Sequence, residues 1–294
     1  MRKSDFDNII KSNLIAYIGI DNFGYTVSKT GKTYSDYYNN LVFARFIEEM
    51  NSDRYRDAFR AYNAGKGSEL NENRGRYGKM PPKMASVASS SRFCYLALRD
   101  GARALGGSGQ VKFEYACAIP GMSGIPPQLD AYISVENIYV EAKCHEIFDS
   151  HRIVLKEKYW DYIYGVDNKF GFPVLERLSG SEFEIPLVVF GIKKYRSMFD
   201  IKQLLCHLLG IAAQKNDSAT LVYLFFKPKV KRLDEQKQID VVFDMLIEEV
   251  NAIFNSKPIQ QFCMNYKIKF WAVAEYAQIM SALNESNMIT LARI

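Results

Sequence analysis

The sequence predicts an α/β protein of the α+β kind, in which helices flank a β-sheet and further elements are added at both ends. Two observations predict this class. The chain has 294 residues, of which 48% are hydrophobic and 24% are charged, a composition typical of a globular chain with a sizeable core. Between residues 86 and 226, helical and strand-like patterns follow the order helix, three strands, helix, strand. We therefore expect a core of 86–226 within a main domain of 84–294.

Residues 1–83 are expected to form a helical N-terminal extension with a basic loop. Apolar residues recur at helical spacing in 39–50, and 54–62 predicts a second short helix. The stretch 64–83 is rich in Gly, Asn, Arg, Lys and Pro, which predicts a long loop. Long loops of compact domains are commonly functional or disordered, so this one is a candidate for contacts with a partner.

The core elements follow from periodicity. An apolar helical face runs from Val87 to Leu105, and this helix is expected to end at Gly106-Gly107. β-branched and aromatic residues predict strands at 111–118, 129–135, 138–144 and 218–226. Apolar spacing predicts an amphipathic helix over 201–215.

Two further segments lie within and after this core. Residues 145–200 are expected to form an insertion with a helix at 155–164 and an apolar strand at 185–192. Residues 227–294 are expected to form a C-terminal addition, whose predicted elements are helices at 238–255, 258–265 and 275–283, a strand at 268–273 and a final short strand.

Positive charge is concentrated in two segments. The whole chain has a net charge of 38 − 33 = +5, whereas residues 51–99 alone carry ten Lys and Arg against four Asp and Glu, which is +6. A second basic run, KPKVKR, spans 227–232. Such segments suit the phosphate backbone of a nucleic acid, although a solvated surface is the competing interpretation for any single side chain. The candidate phosphate contacts are Arg74, Arg76, Lys79, Lys83, Lys227, Lys229, Lys231 and Arg232.

Several classes of protein are disfavoured. No apolar run approaches the ~18 residues of a membrane span, and the first residues do not form a signal-peptide pattern. Five cysteines are widely spaced without a CxxC pair, which predicts reduced, buried thiols. The three histidines are not spaced as metal ligands. We therefore expect a cytoplasmic protein without a membrane partner.

The segment 126–148 contains the residues with the strongest indication of chemistry. Asp130 lies near the start of one predicted strand, and Glu141 and Lys143 lie late in the next. Side chains alternate along a strand, so Glu141 and Lys143 point the same way. A tight turn at 134–137 pairs the two strands antiparallel, and counting back from it places Asp130 level with Glu141. Two carboxylates and one ammonium are therefore expected to converge at one end of a hairpin.

The pattern of Asp or Glu, any residue, then Lys is common, and its context decides its meaning. It occurs four times, beginning at Glu141, Asp167, Asp200 and Glu235. Only the first lies in an apolar, β-branched strand that follows a strand opening with Asp. The alternative for this first occurrence is a half-exposed hairpin with a surface ion pair.

Burying uncompensated charge is costly, and a bound divalent metal would compensate the charge of such a cluster. One or two carboxylates suit Mg²⁺, which keeps positions open for water and a substrate phosphate. The metal polarises a phosphoryl oxygen and acidifies bound water, and a neighbouring lysine stabilises developing negative charge or orients the water. The predicted cofactor is Mg²⁺, with Mn²⁺ as a substitute.

These residues resemble the signature of the PD-(D/E)xK nuclease superfamily, also called restriction-endonuclease-like. Asp130, Glu141 and Lys143 match the signature, although Leu129 stands where it has Pro. The core order of 86–226 is similar to the family core, which implies a central mixed β-sheet flanked by helices. Nucleases of this family often carry Gln on the helix after the motif strand, and Gln203 matches it.

The resemblance extends to weaker candidates. The Ala142 backbone carbonyl is a further metal ligand by analogy, and Glu114 in the preceding strand is either an additional ligand or a surface-facing carboxylate. His207 lies four residues after Gln203 on the same helical face. It is expected either to contact phosphate or shuttle a proton, or to be structural.

Two functions remain open from the sequence. The first is a metal-dependent nuclease that hydrolyses phosphodiester bonds, with DNA implied as substrate and RNA left open. The second is a catalytically silent nucleic-acid-binding or scaffold protein of the same fold. A small-molecule hydrolase would need a nucleophile and a base, and neither a GxSxG motif nor a Cys–His pairing is present. A homodimer that cuts two strands is left open as well.

Overall fold

The computed structural model describes residues 1–6, 8, 23–24, 40–41, 53–65, 67, 69–71, 73–75, 78–80, 82–85, 89–105, 107–144, 148–165, 170–172, 182–225, 227, 230 and 232–270. Its helices, in chain order, are α1 (Arg56–Asn63), α2 (Ser90–Leu98), α3 (Trp160–Tyr164), α4 (Ile201–Ala213), α5 (Leu233–Phe254) and α6 (Lys257–Tyr266). Its strands are β1 (Phe23–Gly24), β2 (Asn40–Leu41), β3 (Asn73–Gly75), β4 (Gly78–Met80), β5 (Val111–Ala116), β6 (Gln128–Ile133), β7 (Ile138–Lys143), β8 (Ile153–Lys156), β9 (Glu182–Ile185), β10 (Ala219–Phe225) and β11 (Ile268–Phe270).

A mixed sheet occupies the centre of the described part of the chain. Its strand order is β11-β10-β7-β6-β5, with β5, β6 and β7 antiparallel to one another and β10 parallel to both β7 and β11. Helices flank this sheet, which confirms the α/β prediction. A parallel pair cannot be joined by a tight turn, so the chain between β7 and β10 makes a long crossover that contains α4.

The apolar pattern of the central strands explains their position. In β7 the first five residues are buried, and β10 has the same nearly continuous burial because it lies between two neighbours. The turn 134–137 joins β6 to β7, and Asn137 there has a φ of 51°, a left-handed conformation that Asn tolerates better than most residues.

Helix α4 packs an apolar face into the core and begins at a defined residue. Leu204, Leu205 and Leu208 are fully buried, as amphipathic spacing requires. Asp200 caps the helix, because its Oδ1 accepts a hydrogen bond from the Gln203 backbone N at 3.0 Å. This cap holds Gln203 in the first turn of α4. From there the Gln203 side chain contacts Glu141 and Lys143 at the C-terminal end of β7.

Two helix boundaries differ from the sequence prediction. The helix predicted to continue to Leu105 ends at Leu98, and a short 3-10 turn follows at 103–105. Gly101 has a φ of 103° and breaks the helical path, which the apolar periodicity beyond it did not reveal. In the insertion, the predicted helix 155–164 is shortened, because its first residues belong to β8 and only Trp160–Tyr164 is α-helical.

Two strand predictions also need correction. The apolar run 185–192 is not a strand: β9 ends at Ile185, and Leu187–Phe190 form a 3-10 turn. Pro186 between them lacks a backbone N–H and fixes φ, so it ends the ladder. The region 64–83, predicted as a loop, contains the β3–β4 hairpin, and the predicted helix 39–50 contains β2 instead at 40–41.

The remaining predicted helices and strands are either confirmed or lie outside the described residues. Helices α1, α5 and α6 and strand β11 confirm the predicted elements near them, whereas 42–50 and 271–294 lie outside the described residues. All five cysteines are free, and four of them are buried. None of the described helices is both long and apolar enough to cross a membrane.

Candidate active site

The β6–β7 hairpin brings the two signature carboxylates together. The strands pair from Ile133 opposite Ile138 to Ala131 opposite Val140. Continuing this register by one pair places Asp130 level with Glu141, and the regular ladder stops there. The carboxylates therefore meet where the two strands begin to separate, at the end of the hairpin remote from its turn.

The Asp130 carboxylate occupies this opening between the strands. Its Oδ2 accepts a hydrogen bond from the Ala142 backbone N at 2.7 Å, and its Oδ1 accepts one from Ser91 Oγ on α2 at 3.2 Å. Burial, together with the charge of Glu141, raises the pKa of Asp130 well above its usual range. Two acidic side chains and one lysine therefore share this buried region.

Glu141, Lys143 and Gln203 form a closed hydrogen-bonded triangle. Lys143 Nζ lies 2.8 Å from Glu141 Oε1 and 2.6 Å from Gln203 Oε1, and Gln203 Nε2 donates to Glu141 Oε1 at 2.8 Å. The amide uses both its oxygen and its nitrogen, so it orients the acid and the ammonium together. Because Glu141 and Lys143 are two residues apart on one strand, α4 covers the face to which both point.

His207 lies one turn further along α4 and is held by protein groups. Its Nε2 is 3.0 Å from the Gln128 carbonyl oxygen and its Nδ1 is 3.2 Å from the Tyr223 hydroxyl. A carbonyl only accepts, so Nε2 carries the proton and Nδ1 accepts from Tyr223. Burial lowers the pKa of His207. These contacts favour the structural interpretation over a phosphate contact, although Nε2 stands 3.8 Å from Glu141 Oε2.

Glu114 is buried, so the interpretation of a surface-facing strand carboxylate is wrong. It is 8% exposed, and Tyr62 on α1 donates a hydrogen bond from its hydroxyl to Glu114 Oε1 at 2.6 Å. Burial raises the pKa of Glu114 above its usual range. Tyr62 and Ser91 were not predicted as site residues, although the position of Ser91 on the inner face of its predicted helix was a usable signal.

The predicted phosphate contacts are described only in part. Three of them form ion pairs with nearby acids: Lys83 with Glu69, Lys227 with Asp240, and Arg232 with Asp234. The backbones of Arg74 and Lys79 pair in the β3–β4 hairpin, whereas Arg76, Lys229 and Lys231 lie outside the described residues.

The donor set fits a divalent cation. Among the described residues, no three His, Cys, Asp or Glu side chains stand together as a metal site of their own. Asp130 and Glu141 supply two carboxylates, a number that Mg²⁺ takes from proteins when water and phosphate complete its shell. Glu141 Oε2 accepts no hydrogen bond from the described residues, whereas Oε1 accepts two. A cation on the Oε2 side would also relieve the repulsion between the two carboxylates.

Two surface cavities lie elsewhere and share Asp217 and Lys267 in their linings. Their volumes are about 510 and 750 Å³, and neither is lined by a signature residue. Cavity size alone would select these as ligand sites. Neither holds a buried carboxylate pair with a lysine, so the chemistry points to the hairpin end.

Comparison with protein-family models, with curated proteins and with solved structures found no match. The functional conclusion therefore depends on the residues of the hairpin end and their geometry. Four elements contribute to this region: α2, β6, β7 and α4.

Proposed function

We propose that this chain is a metal-dependent nuclease that hydrolyses phosphodiester bonds, with DNA as its substrate. One observation supports the proposal most strongly: Asp130, Glu141 and Lys143 converge at one sheet position while Gln203 bonds two of them from α4. The order α2, β5 to β7, α4, β10 follows the helix, three strands, helix, strand order of PD-(D/E)xK nucleases. The restriction-endonuclease-like fold is part of this proposal.

The chemistry of the site divides among its residues. Asp130, Glu141 and the Ala142 carbonyl would hold Mg²⁺ or Mn²⁺, which supplies Lewis acidity to the phosphate and to bound water. Lys143 places an ammonium beside Glu141, where it can orient a water or offset negative charge that develops on the phosphate. Gln203 holds the lysine and the acid in one relative orientation, which is how preorganised sites gain rate.

Stability alone does not explain this arrangement. Two carboxylates are placed together with a single lysine between the layers of the fold, and a buried charge without full compensation destabilises a protein. An apolar hairpin end would fold with less cost. A binding role for the charges accounts for their position.

The test is cleavage by the full chain and by variants of the signature. Supercoiled plasmid, linear duplex, single-stranded DNA and RNA are each incubated with Mg²⁺, Mn²⁺ or EDTA. We expect metal-dependent cleavage that leaves 5′-phosphates, and Glu141→Gln and Lys143→Met are expected to lower its rate by at least about 100-fold. The matched control is Glu235→Gln with Lys237→Met, the same sequence pattern on α5, which should cleave like the wild type.

Each outcome selects one function. If Glu141→Gln and Lys143→Met both cleave like the wild type, the site is wrongly placed. If the wild type binds nucleic acid but cleaves no form of it with either metal, the chain is the catalytically silent binding or scaffold protein instead.

A further inference from the structure

The segment that leads into α4 is held by a glutamate of the C-terminal addition. The Phe199 backbone N lies 2.9 Å from Glu249 Oε1 on α5 and 3.1 Å from Ser197 Oγ, so the shorter of its two hydrogen bonds goes to the glutamate. The Ser197 hydroxyl is 2.5 Å from Glu249 Oε1 and 2.7 Å from the Phe199 carbonyl oxygen, and it donates its single proton to one of these acceptors. With either acceptor, Glu249 holds the backbone directly before α4.

Both polar side chains of this contact are deeply buried. Glu249 is 7% exposed and Ser197 is 1% exposed. Glu249 Oε2 is buried as well, and none of the described residues gives it a hydrogen bond. A buried carboxylate with one unsatisfied oxygen is costly, and its neighbours on the same buried face of α5, Leu246 and Ile253, are apolar. The glutamate interrupts an apolar face, which favours a role for its oxygen beyond packing.

Short steps along the chain connect this contact to Gln203. The Phe199 carbonyl accepts a hydrogen bond from the Ile201 backbone N at 2.9 Å, at the start of the helix. Asp200, the residue between them, caps α4 through the Gln203 backbone N. Gln203 therefore stands four positions after the backbone that Glu249 holds, and its amide orients the signature acid and lysine.

Two other elements meet the same segment. Ser197 exchanges backbone hydrogen bonds of 2.8 and 3.0 Å with His151 of the insertion. The Phe199 ring packs against Tyr223 on β10 and Phe254 on α5, with centroids 4.9 and 5.9 Å away. Glu249 is the contact that a substitution removes most cleanly, because its side-chain oxygen serves the backbone directly.

We propose that Glu249 is a positioning residue, which sets the first turn of α4 through Phe199 and thereby orients Gln203 toward the signature acid and lysine. The proposal rests on the nuclease function argued above. It makes the C-terminal addition necessary for an ordered site, although the chain up to β10 already contains every signature residue. Misplacing a catalytic group by about 1 Å can cost about 100-fold in rate, so a shift of this turn would be measurable.

The experiment compares two substitutions at one position of the full chain, with DNA and Mg²⁺. Glu249→Ala removes the acceptor, whereas Glu249→Gln keeps an oxygen where Oε1 stands. We expect Glu249→Ala to lower kcat about tenfold or more and to leave KM within about twofold, because Gln203 orients the reacting groups. Glu249→Gln should restore kcat to within about threefold of the wild type. The matched control is Glu248→Ala, which removes an exposed carboxylate from the adjacent position of α5.

Gln203 provides readouts that a purely structural role would not change. If Glu249 acts through Gln203, Glu249→Ala has no further effect on kcat once Gln203 is replaced by Ala, and two independent losses would overturn the proposal. In protein labelled with ¹⁵N-glutamine, the side-chain amide signal that is missing in Gln203→Ala should move in Glu249→Ala and return in Glu249→Gln. A lower unfolding temperature of Glu249→Ala with an unmoved Gln203 signal would show that Glu249 only stabilises the fold.

The outcomes also distinguish this proposal from the proposed function. A wild type that cleaves DNA, with Glu249→Ala cleaving at the same rate and leaving the Gln203 signal in place, overturns the positioning role alone. A wild type that cleaves no nucleic acid with Mg²⁺ or Mn²⁺ overturns the nuclease function and the positioning role with it, wherever the Gln203 signal lies.

Discussion

The ion pair between Lys143 and Glu141 is buried, so removing one partner should lower the free energy of unfolding measurably. Its atoms are 2.8 Å apart, and the two side chains are only 13% and 6% exposed. Removing one partner of a buried pair typically costs about 3–5 kcal/mol, whereas an exposed pair contributes about 1 kcal/mol at most. Lys143→Met keeps the side-chain stem and removes the ammonium. We expect this variant to lose about 3 kcal/mol of unfolding free energy, the lower end of the range for buried pairs, because Gln203 Nε2 still donates to Glu141.

The assay is urea unfolding in EDTA at neutral pH, followed by circular dichroism. The wild type, Lys143→Met, Glu141→Gln and the double variant form a thermodynamic cycle, and we expect a coupling free energy of about 2 kcal/mol between the two positions. Mg²⁺ should recover part of the stability lost in Lys143→Met, because a cation at the carboxylates replaces the missing charge. A Lys143→Met variant that unfolds within about 0.5 kcal/mol of the wild type would refute the reasoning and favour the alternative of a surface ion pair.

Three further outcomes are expected. The first concerns DNA binding by the Glu141→Gln variant, in which Lys83, Lys227 and Arg232 are also replaced by Ala. The slope of log affinity for duplex DNA against log salt concentration should become shallower by about three, and an unchanged slope would exclude these residues from the interface. The buried His207 has a pKa lowered from its ordinary value of 6.5, so the unfolded chain takes up the proton first. The contribution of neutral His207 to the free energy of unfolding should be fully present above pH 6.5 and should be lost as the pH falls through the folded-state pKa. The variant His207→Asn should lose this part of the acid sensitivity, and equal urea midpoints for both proteins across this range would argue against it. Phe262 stacks on a neighbouring phenylalanine at 4.2 Å, and Phe262→Ala should cost about 3–5 kcal/mol in urea unfolding; a loss below about 1 kcal/mol would show that α6 is not anchored there.

The hairpin end was predictable from the sequence because its geometry is local. Asp130, Glu141 and Lys143 lie on two strands joined by a short turn, so the two-residue alternation of strands fixes their faces and their level. The apolar context of β7 separated Glu141 from the other three occurrences of the same pattern. Gln203 followed from a resemblance, and the structure places it within hydrogen-bonding distance of both Glu141 and Lys143.

The rest of the site depends on contacts that sequence patterns do not encode. Tyr62 is 52 residues from Glu114, and Ser91 is 39 residues from Asp130. These contacts depend on how α1 and α2 pack on the sheet, and the periodicity of the sequence does not predict that packing. Glu114 has a φ of 49°, and this left-handed backbone is equally invisible in the sequence, because a glutamate inside a strand pattern predicts ordinary alternation. Pro186 was a visible signal of a strand end, and the strong apolar run around it outweighed that signal.

The long crossover between β7 and β10 has a consequence for the time at which the site forms during synthesis. Lys143 and Gln203 are 60 residues apart, so a growing chain that has released β6 and β7 already carries both carboxylates but not the amide that orients them. The ordered site requires α4 to dock and β10 to complete the sheet beside β7. Closing such a connection is a slow, late event compared with forming a hairpin. A ribosome-bound chain would therefore carry both carboxylates before the lysine and the amide that complete the proposed site are ordered around them.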